Sequence, residues 1–215
     1  MPASTVVLWR HGRTASNAAR VWQGQADVPL DDVGAAQAVS AAAVLSLLAP
    51  SAVVGSDLGR AVSTAEALGA AIGLPVQADA DLREVSAGEW EGCSREDIAA
   101  RWPDDLARWQ AGEDLRIGGG ERISDAGARC AAAIARHAAR NEGVLVVVGH
   151  GGALRSAAQQ LLGVGVDGRF LGALRNAHWA VLAPRDGRWV LDAWNVGAPA
   201  EPAPSPPPAD GAGPL

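Results

Sequence analysis

The chain contains no lysine and no tyrosine, and it has only one phenylalanine and two cysteines. Its 18 basic side chains are therefore all arginines, and against 24 acidic side chains they leave a formal net charge of −6. This balance argues against a broad nucleic-acid or anionic-membrane surface, because both need clustered positive charge. Cys93 and Cys130 form neither a C-x-x-C pair nor a zinc-ligand set, which predicts a reducing cytoplasmic location and no metal.

Long apolar segments are also missing. The longest one, around residues 41–49, is interrupted by Ser46 and is shorter than the roughly 20 residues that a membrane-spanning helix needs. The N-terminus lacks the basic-then-apolar order of a signal peptide, because Arg10 and His11 follow a first apolar run of a few residues. With 215 residues, of which 48% are hydrophobic, the chain has the size and composition of one globular domain.

Short apolar runs alternate with segments of helical periodicity. Three β-branched runs predict buried strands, at residues 5–9, 51–55 and 143–148. Three longer segments predict helices, at residues 31–48, 57–72 and 121–140. In the first helix, the positions that recur every three to four residues are Val33, Gln37, Ala41, Val44 and Leu48.

These elements predict a three-layer α/β fold with a mostly parallel central sheet and helices on both faces. The run at residues 143–148 is apolar at every position, which is typical of a central strand covered on both sides. Residues 178–183 and 188–194 predict a C-terminal hairpin. We expect residues 1–197 to form one domain and residues 198–215, rich in proline and alanine, to form a disordered tail.

Three polar clusters follow predicted strands. The first runs from Arg10 to Thr14, the second from Ser56 to Arg60, and the third from Gly149 to Gly152. Because ligands bind at the carboxyl ends of strands in open α/β sheets, we expect the clusters to meet in one pocket. They supply arginines and histidines, and Asn17 follows the first cluster within one helical turn.

Those residue types suit a phosphate group. Arginine offers a planar fork of donors that matches phosphate oxygens, and neutral imidazole is a good nucleophile toward phosphorus. Glu84, in an irregular stretch, suits a general acid, since the charge of a nearby phosphate favours the protonated carboxyl group.

Several single residues have a structural as well as a functional interpretation. Arg13 is either a pocket residue or an ordinary solvated arginine, and His178 could line a pocket. His137 is expected to be an ordinary packed histidine on its helix. Trp22 and Trp90 lie in loops beside the clusters, so they are the tryptophans expected to touch substrate.

The motifs themselves resemble those of the histidine phosphatase superfamily, also called phosphoglycerate mutase-like. The resemblance starts with Leu8-Trp-Arg-His-Gly-Arg-Thr-Ala-Ser-Asn17 and continues with Ser56-Asp-Leu-Gly-Arg60, Leu82-Arg-Glu84, Gly120-Glu121 and Val148-Gly-His-Gly-Gly152. The motifs occur in the family's order over about residues 6–195. Two departures are Gly55, where the family often has serine, and Arg122, where serine often follows the glutamate and which could alter the pocket rim.

The resemblance implies phosphoryl transfer through a phosphohistidine, with no metal and no cofactor. His11 would be the nucleophile, and Glu84 would protonate the leaving oxygen and then activate water. The implied phosphate clamp and substrate-binding residues are Arg10, Arg60, His150, Asn17, Gly151, Arg13, Gln23 and Gly24.

Within the family, a phosphatase is favoured over a cofactor-dependent mutase. The mutases carry a longer insertion with a tyrosine, a lysine and an Arg-Arg pair, whereas this chain has none of these. The segments Asn176-Ala-His-Trp179 and Trp189-Val-Leu-Asp-Ala-Trp-Asn195 resemble the glucosyl-3-phosphoglycerate phosphatases of actinobacteria, which implies that substrate and a homodimer. A broad phosphomonoesterase, a mutase and a non-catalytic phospholigand-binding domain are the alternatives.

Overall fold

The computed structural model describes residues 3–165 and 170–199. Its strands are β1 Ala3–Arg10, β2 Ala52–Gly55, β3 Val76–Ala78, β4 Gly143–Gly149, β5 Trp179–Arg185 and β6 Arg188–Val196. Its α-helices are α1 Ala15–Ala19, α2 Asp32–Ser46, α3 Gly59–Ile72, α4 Arg95–Arg101, α5 Pro103–Gln110, α6 Ile123–Arg140 and α7 Gly151–Leu161. Residues 200–215 of the predicted tail lie outside the described residues.

The strands form one sheet in the order β3–β2–β4–β1–β5–β6. The first four are parallel to one another, whereas β5 runs antiparallel to β1 and β6 antiparallel to β5. Asp186 and Gly187 connect β5 to β6 with φ angles of 49° and 76°, the left-handed pair that matches the twist of a tight hairpin. The mostly parallel sheet and the C-terminal hairpin predicted from the sequence are confirmed.

Alternate residues of the central strands face opposite helix layers, as the period of a β-strand requires. In β1, Val6 and Leu8 pack in the core that contains α6 and α7. Val7 and Trp9 pack in the core that contains α2 and α3. The three-layer arrangement is therefore confirmed. Within the described part of the chain, no helix is long and apolar enough to span a membrane.

The buried face of α2 does not follow the spacing of positions that predicts this helix. The inner residues are Gly34, Ala38, Ala41, Ala42 and Leu45, while Val33 and Leu48 are 45% and 42% exposed. The helix lies too close to the turn after β1 for large side chains, because a Cβ added at Gly34 would lie 1.9 Å from the carbonyl oxygen of Arg13. Close backbone approach, rather than apolar bulk, decides which face is buried here.

Residues 79–122, between β3 and α6, form a separate unit that we call the cap. It has its own small core, which includes Val85, Trp90, Ile98 and Leu106. Its chain folds back tightly at Gly118, whose φ of 54° and close approach to the carbonyl oxygen of Ala87 exclude a side chain. The cap thereby forms one wall above the carboxyl ends of the parallel strands.

Candidate active site

The three polar clusters lie side by side at the carboxyl edge of the sheet, as predicted. Arg10 pairs with Gly149 in the register of β1 and β4, and the backbone N–H of His11 donates to the carbonyl of Gly149 over 3.0 Å. The backbone N–H of Ser56, which follows β2, donates to the carbonyl of Val148 over 2.9 Å. The clusters border a cavity of about 470 Å³.

His11 lies at the base of this cavity and is only 2% exposed. Its Nδ1 lies 2.6 Å from the carbonyl oxygen of Gly12, which can only accept, so Nδ1 carries the proton and Nε2 keeps its lone pair. Burial, reinforced by the guanidinium groups of Arg10 and Arg60, holds the pKa of His11 well below its usual range. The side chain is therefore a neutral imidazole with a nucleophilic nitrogen.

His150 faces His11, and the two ring centroids are 5.1 Å apart. The Nε2 atom of His150 lies 2.9 Å from the Ser56 hydroxyl, while its buried Nδ1 has no hydrogen-bond partner among the described residues. Burial, followed by the proximity of His11 and of the neighbouring arginines, also keeps the pKa of His150 well below its usual range.

Arg10 and Arg60 are fixed by main-chain carbonyl groups. Nη1 of Arg10 donates to Leu174 over 2.7 Å, and Nη2 of Arg60 donates to Gly24 over 2.8 Å. The Nε atoms of both arginines are buried without a partner in the described part of the chain. Because both guanidinium groups are held in place and each still has an unpaired Nε donor, together they form a binding site for an anion.

Glu84 reaches the cavity from the cap and lies at the start of α7. Its Oε1 accepts hydrogen bonds from the N–H groups of Val85 and Ala153, at 2.9 and 2.7 Å. Its Oε2 accepts one from Gly152 at 3.0 Å. The carboxyl group is thus positioned by backbone atoms at the same helix terminus that follows His150.

Most of the other predicted site residues line the cavity, namely Asn17, Gln23, Gly24 and Gly151. Arg13 does not, because its Nε pairs with Asp31 over 2.9 Å outside the cavity. The structure therefore places Arg13 in a partly buried ion pair outside the cavity, which is neither a pocket position nor that of a fully solvated arginine.

The rim residues also separate into two groups. Trp22 lines the cavity, but Trp90 is completely buried in the cap core, where its ring meets Trp22 edge-on at 5.3 Å. The expectation that Trp90 touches substrate is therefore wrong.

Three other residues named from the sequence also lie away from the phosphate donors. Arg122 donates to the carbonyl of Asp114, and His178 lines a different cavity beside α2. His137 is packed as expected, with Nε2 2.7 Å from Asp79.

Four supporting residues were given no role in the site by the sequence, although Ser56 and Asn176 belong to segments named there. The Ser56 hydroxyl contacts His150, and the Thr64 hydroxyl accepts from the N–H of Gly12 over 3.1 Å. The Asn176 amide donates to Oδ1 of Asn17 over 2.9 Å and to the carbonyl of His11 over 3.2 Å. Arg155 lines the cavity, and its place four residues after Gly151 on a helix was the available signal. Across residues 3–165 and 170–199, no three His, Cys, Asp or Glu side chains are grouped to hold a metal ion.

Comparison with known proteins supplies the family. The model for the histidine phosphatase superfamily (branch 1) matches residues 6–197. The chain belongs to this superfamily. The resemblance identified in the sequence motifs is thereby confirmed over almost the whole described chain.

Two of the relatives that match most of this chain are named as phosphatases. Glucosyl-3-phosphoglycerate phosphatase of Mycolicibacterium vanbaalenii is 36% identical over 218 residues, which cover 92% of this chain and 97% of that protein. Metal-independent phosphoserine phosphatase of Arabidopsis thaliana is 34% identical over 195 residues, which cover 88% of this chain and 80% of that protein.

A solved structure shows the same fold. A mycobacterial glucosyl-3-phosphoglycerate phosphatase in complex with VO3 has a TM-score of 0.82 and 35% identity, covering 90% of this chain and 100% of that one. Together with the family match, these relatives identify the chain as a phosphoric monoester hydrolase of the histidine phosphatase type, as predicted.

Proposed function

We propose that the chain hydrolyses glucosyl-3-phosphoglycerate through a phosphorylated His11. The observation that carries the catalytic part is the set of unpaired nitrogens around His11: Nε of Arg10, Nε of Arg60 and Nδ1 of His150 are buried without partners in the described chain. Buried donors need acceptors. A phosphoryl group on Nε2 of His11 would present its oxygens to these donors.

In the first step, Nε2 of His11 attacks phosphorus and forms the N–P bond. The ester P–O bond breaks, its electron pair stays on the leaving oxygen, and Glu84 supplies the proton that oxygen needs. Arg10, Arg60 and His150 stabilise the charge on the phosphoryl oxygens, and Asn17 assists them. Gln23, Gly24 and Gly151, which line the same cavity, contribute to substrate binding.

In the second step, water attacks the phosphorylated His11. The Glu84 carboxylate takes one proton from this water, the N–P bond breaks, and its electron pair returns to Nε2. Inorganic phosphate leaves and the neutral imidazole is regenerated. Every group that moves a proton in this cycle belongs to the chain itself.

The substrate is supported by the relatives named above. It is also supported by residues 176–179, at the start of β5, and 189–195, in β6, which resemble the glucosyl-3-phosphoglycerate phosphatases. A mutase is less supported, since the chain lacks the tyrosine, the lysine and the Arg-Arg pair of that branch. The two reactions are separated by giving the enzyme 3-phosphoglycerate with a bisphosphoglycerate primer. A mutase forms 2-phosphoglycerate, whereas a phosphatase releases inorganic phosphate.

The substrate itself is tested by phosphate release across a panel of sugar and organic-acid phosphates that includes glucosyl-3-phosphoglycerate. We expect its kcat/KM to exceed that of the other sugar phosphates by at least about tenfold, or 1.4 kcal/mol. Equal rates across the panel would instead indicate a broad phosphomonoesterase.

The setting of the enzyme is also a proposal. We propose a cytoplasmic homodimer whose catalytic domain is residues 1–197, with residues 198–215 dispensable for catalysis. Light scattering during size-exclusion chromatography reports the mass of the assembly. A chain truncated after residue 197 that loses activity would contradict the proposed boundary.

A further inference from the structure

Two arginines that line the active-site cavity, Arg20 and Arg155, have no side-chain partner among the described residues, and of these two Arg20 is exposed to solvent. Arg155 lines the cavity and is half-buried, yet no hydrogen bond, ion pair or ring contact joins its side chain to another described residue. By contrast, Arg10 and Arg60 are held by main-chain carbonyl groups. A guanidinium group that is partly removed from water and unpaired is ready to bind an anion.

The position of Arg155 on α7 sets which part of a substrate it can reach. Residues three and four positions apart lie on one helix face, so Arg155 shares a face with Gly151 and Gly152. Those glycines border the reaction centre: an added Cβ would lie 3.2 Å from Cζ of Arg10 at Gly151 and 2.9 Å from Oε1 of Glu84 at Gly152. Arg155 therefore lies about one helical turn, roughly 5 Å, beyond the phosphate donors.

The surroundings of Arg155 favour a charged rather than a neutral ligand group. Glu84 is the only acidic residue among the described side chains that line the cavity, and it is occupied by backbone N–H groups. The nearby wall is apolar and includes Val85, Ile117 and Ile123. In such surroundings a hydrogen bond between two charged groups is stronger than one between neutral groups.

We propose that Arg155 binds the carboxylate of the substrate and thereby selects phosphomonoesters of short hydroxy acids. This inference rests on the proposed function, because it takes the phosphoryl group to be bound beside His11. In a 3-phosphoglycerate group, two carbon atoms separate the carboxylate from the ester oxygen. That separation matches one helical turn between the phosphate donors and Arg155.

The test compares two substrates that differ mainly in this group, 3-phosphoglycerate and glycerol 3-phosphate. We expect Arg155→Met to lower kcat/KM for 3-phosphoglycerate and for glucosyl-3-phosphoglycerate by about 10- to 100-fold, the loss of one charge-assisted contact. For glycerol 3-phosphate the change should stay within about threefold, because that substrate has no carboxylate. Arg155→Lys, which keeps the charge but not the planar fork, should fall between the two.

Two controls separate this contact from general effects. Arg140→Met removes the same charge from an exposed position at the last turn of α6, at the opposite edge of the sheet, and should leave both substrates unaffected. Inhibition by inorganic phosphate should be unchanged in Arg155→Met if the phosphate site is intact. Equal losses on both substrates, a weaker phosphate inhibition, or no loss at all would each overturn the proposal.

A binding measurement keeps the result independent of turnover. Calorimetry of both ligands on His11→Ala, with and without Arg155→Met, should show the same selective loss for 3-phosphoglycerate. If glucosyl-3-phosphoglycerate is not hydrolysed but this selectivity is found, the proposed substrate fails and the role of Arg155 stands. If hydrolysis is found without selectivity, the role of Arg155 fails and the phosphatase stands.

Discussion

His11 and Arg60 at the floor of the cavity are almost completely buried, as is His150, whose ring faces His11. By contrast, Arg20 and Arg155 at the rim reach solvent. His11 follows the end of β1 and Arg60 lies in the first turn of α3, and both are tied to backbone atoms, the carbonyls of Gly12 and Gly24. At the rim, Trp22 and Trp109 are held by each other through an edge-on contact at 5.0 Å.

We infer from this difference that the floor residues carry out the chemistry and the rim residues select the substrate. A donor fixed by main-chain atoms needs no reorganisation when charge develops on a phosphoryl group, which is what transition-state stabilisation requires. Rim side chains come from loops, from α5 in the cap and from one face of α7, so they can change without disturbing the sheet. We therefore expect floor variants to change kcat for every phosphomonoester and rim variants to change the choice among them.

The largest effect is expected at the floor. His11→Ala removes the nucleophile, so phosphate release should fall by roughly 10⁴-fold or more for every substrate. Wild-type enzyme quenched during turnover should carry acid-labile phosphate, and the variant should carry none. Substantial residual turnover in a variant that still unfolds cooperatively would contradict the phosphohistidine route.

Glu84→Gln should have a smaller effect that depends on the leaving group. The amide keeps the size of the side chain but cannot donate a proton to an alkoxide, so alkyl phosphates should slow by about 10²- to 10³-fold. An activated aryl phosphate, whose leaving group needs little protonation, should lose much less. A loss of kcat/KM of the same size with both substrate types would argue against the general-acid role.

The floor was predictable from the sequence because its signals are local. A β-branched run followed by Arg10-His11-Gly12 or by His150-Gly151-Gly152 marks a strand end with a turn, and strand ends meet at one edge of a parallel sheet. The clusters at residues 10–14 and 149–152 therefore met as expected. The α/β layers followed from the same alternation of apolar runs.

The contacts that finish the site depend on distant parts of the chain. Asn176 reaches the carbonyl of His11 from 165 positions away, and Ser56 reaches His150 from 94. Arg13 turns out of the cavity because Asp31 lies beside it, and Trp90 is buried because the cap has a core of its own. Such side-chain directions are set by tertiary packing, which no local pattern encodes.

A third prediction concerns the packing of α2 against the turn after β1. In Gly34→Ala the new Cβ would meet the Arg13 carbonyl at 1.9 Å, so α2 must move away from the turn that carries His11. We expect a loss of about 1 to 3 kcal/mol in the free energy of unfolding, measured in urea, together with reduced activity. Gly172→Ala is the matched control, because nothing lies within 4 Å of its added Cβ. Equal stability of the two variants would contradict the close packing.

The smallest expected effect is a difference in the pH dependence of stability between a variant of His11, at the floor of the cavity, and a variant of Arg155, at its rim. Burial, then the neighbouring charged groups, keeps the pKa of His11 and of His150 well below the usual value in the folded chain, so the unfolded chain binds more protons below about pH 6.5. This contribution to stability is present above that pH and is lost as the pH falls. Each histidine should then contribute a slope of up to about 1.4 kcal/mol per pH unit.

Urea unfolding at a series of pH values below about 6.5 measures this slope, because burial disfavours protonation of His11 and His150 in the folded chain but not in the unfolded one. His11→Ala should make the slope shallower, because one buried neutral imidazole is removed. Arg155→Met should leave it unchanged, because this substitution keeps both buried histidines, His11 and His150. A slope that is the same in His11→Ala and in the wild type would mean that His11 titrates normally in the folded chain, and the floor would then not hold a neutral nucleophile.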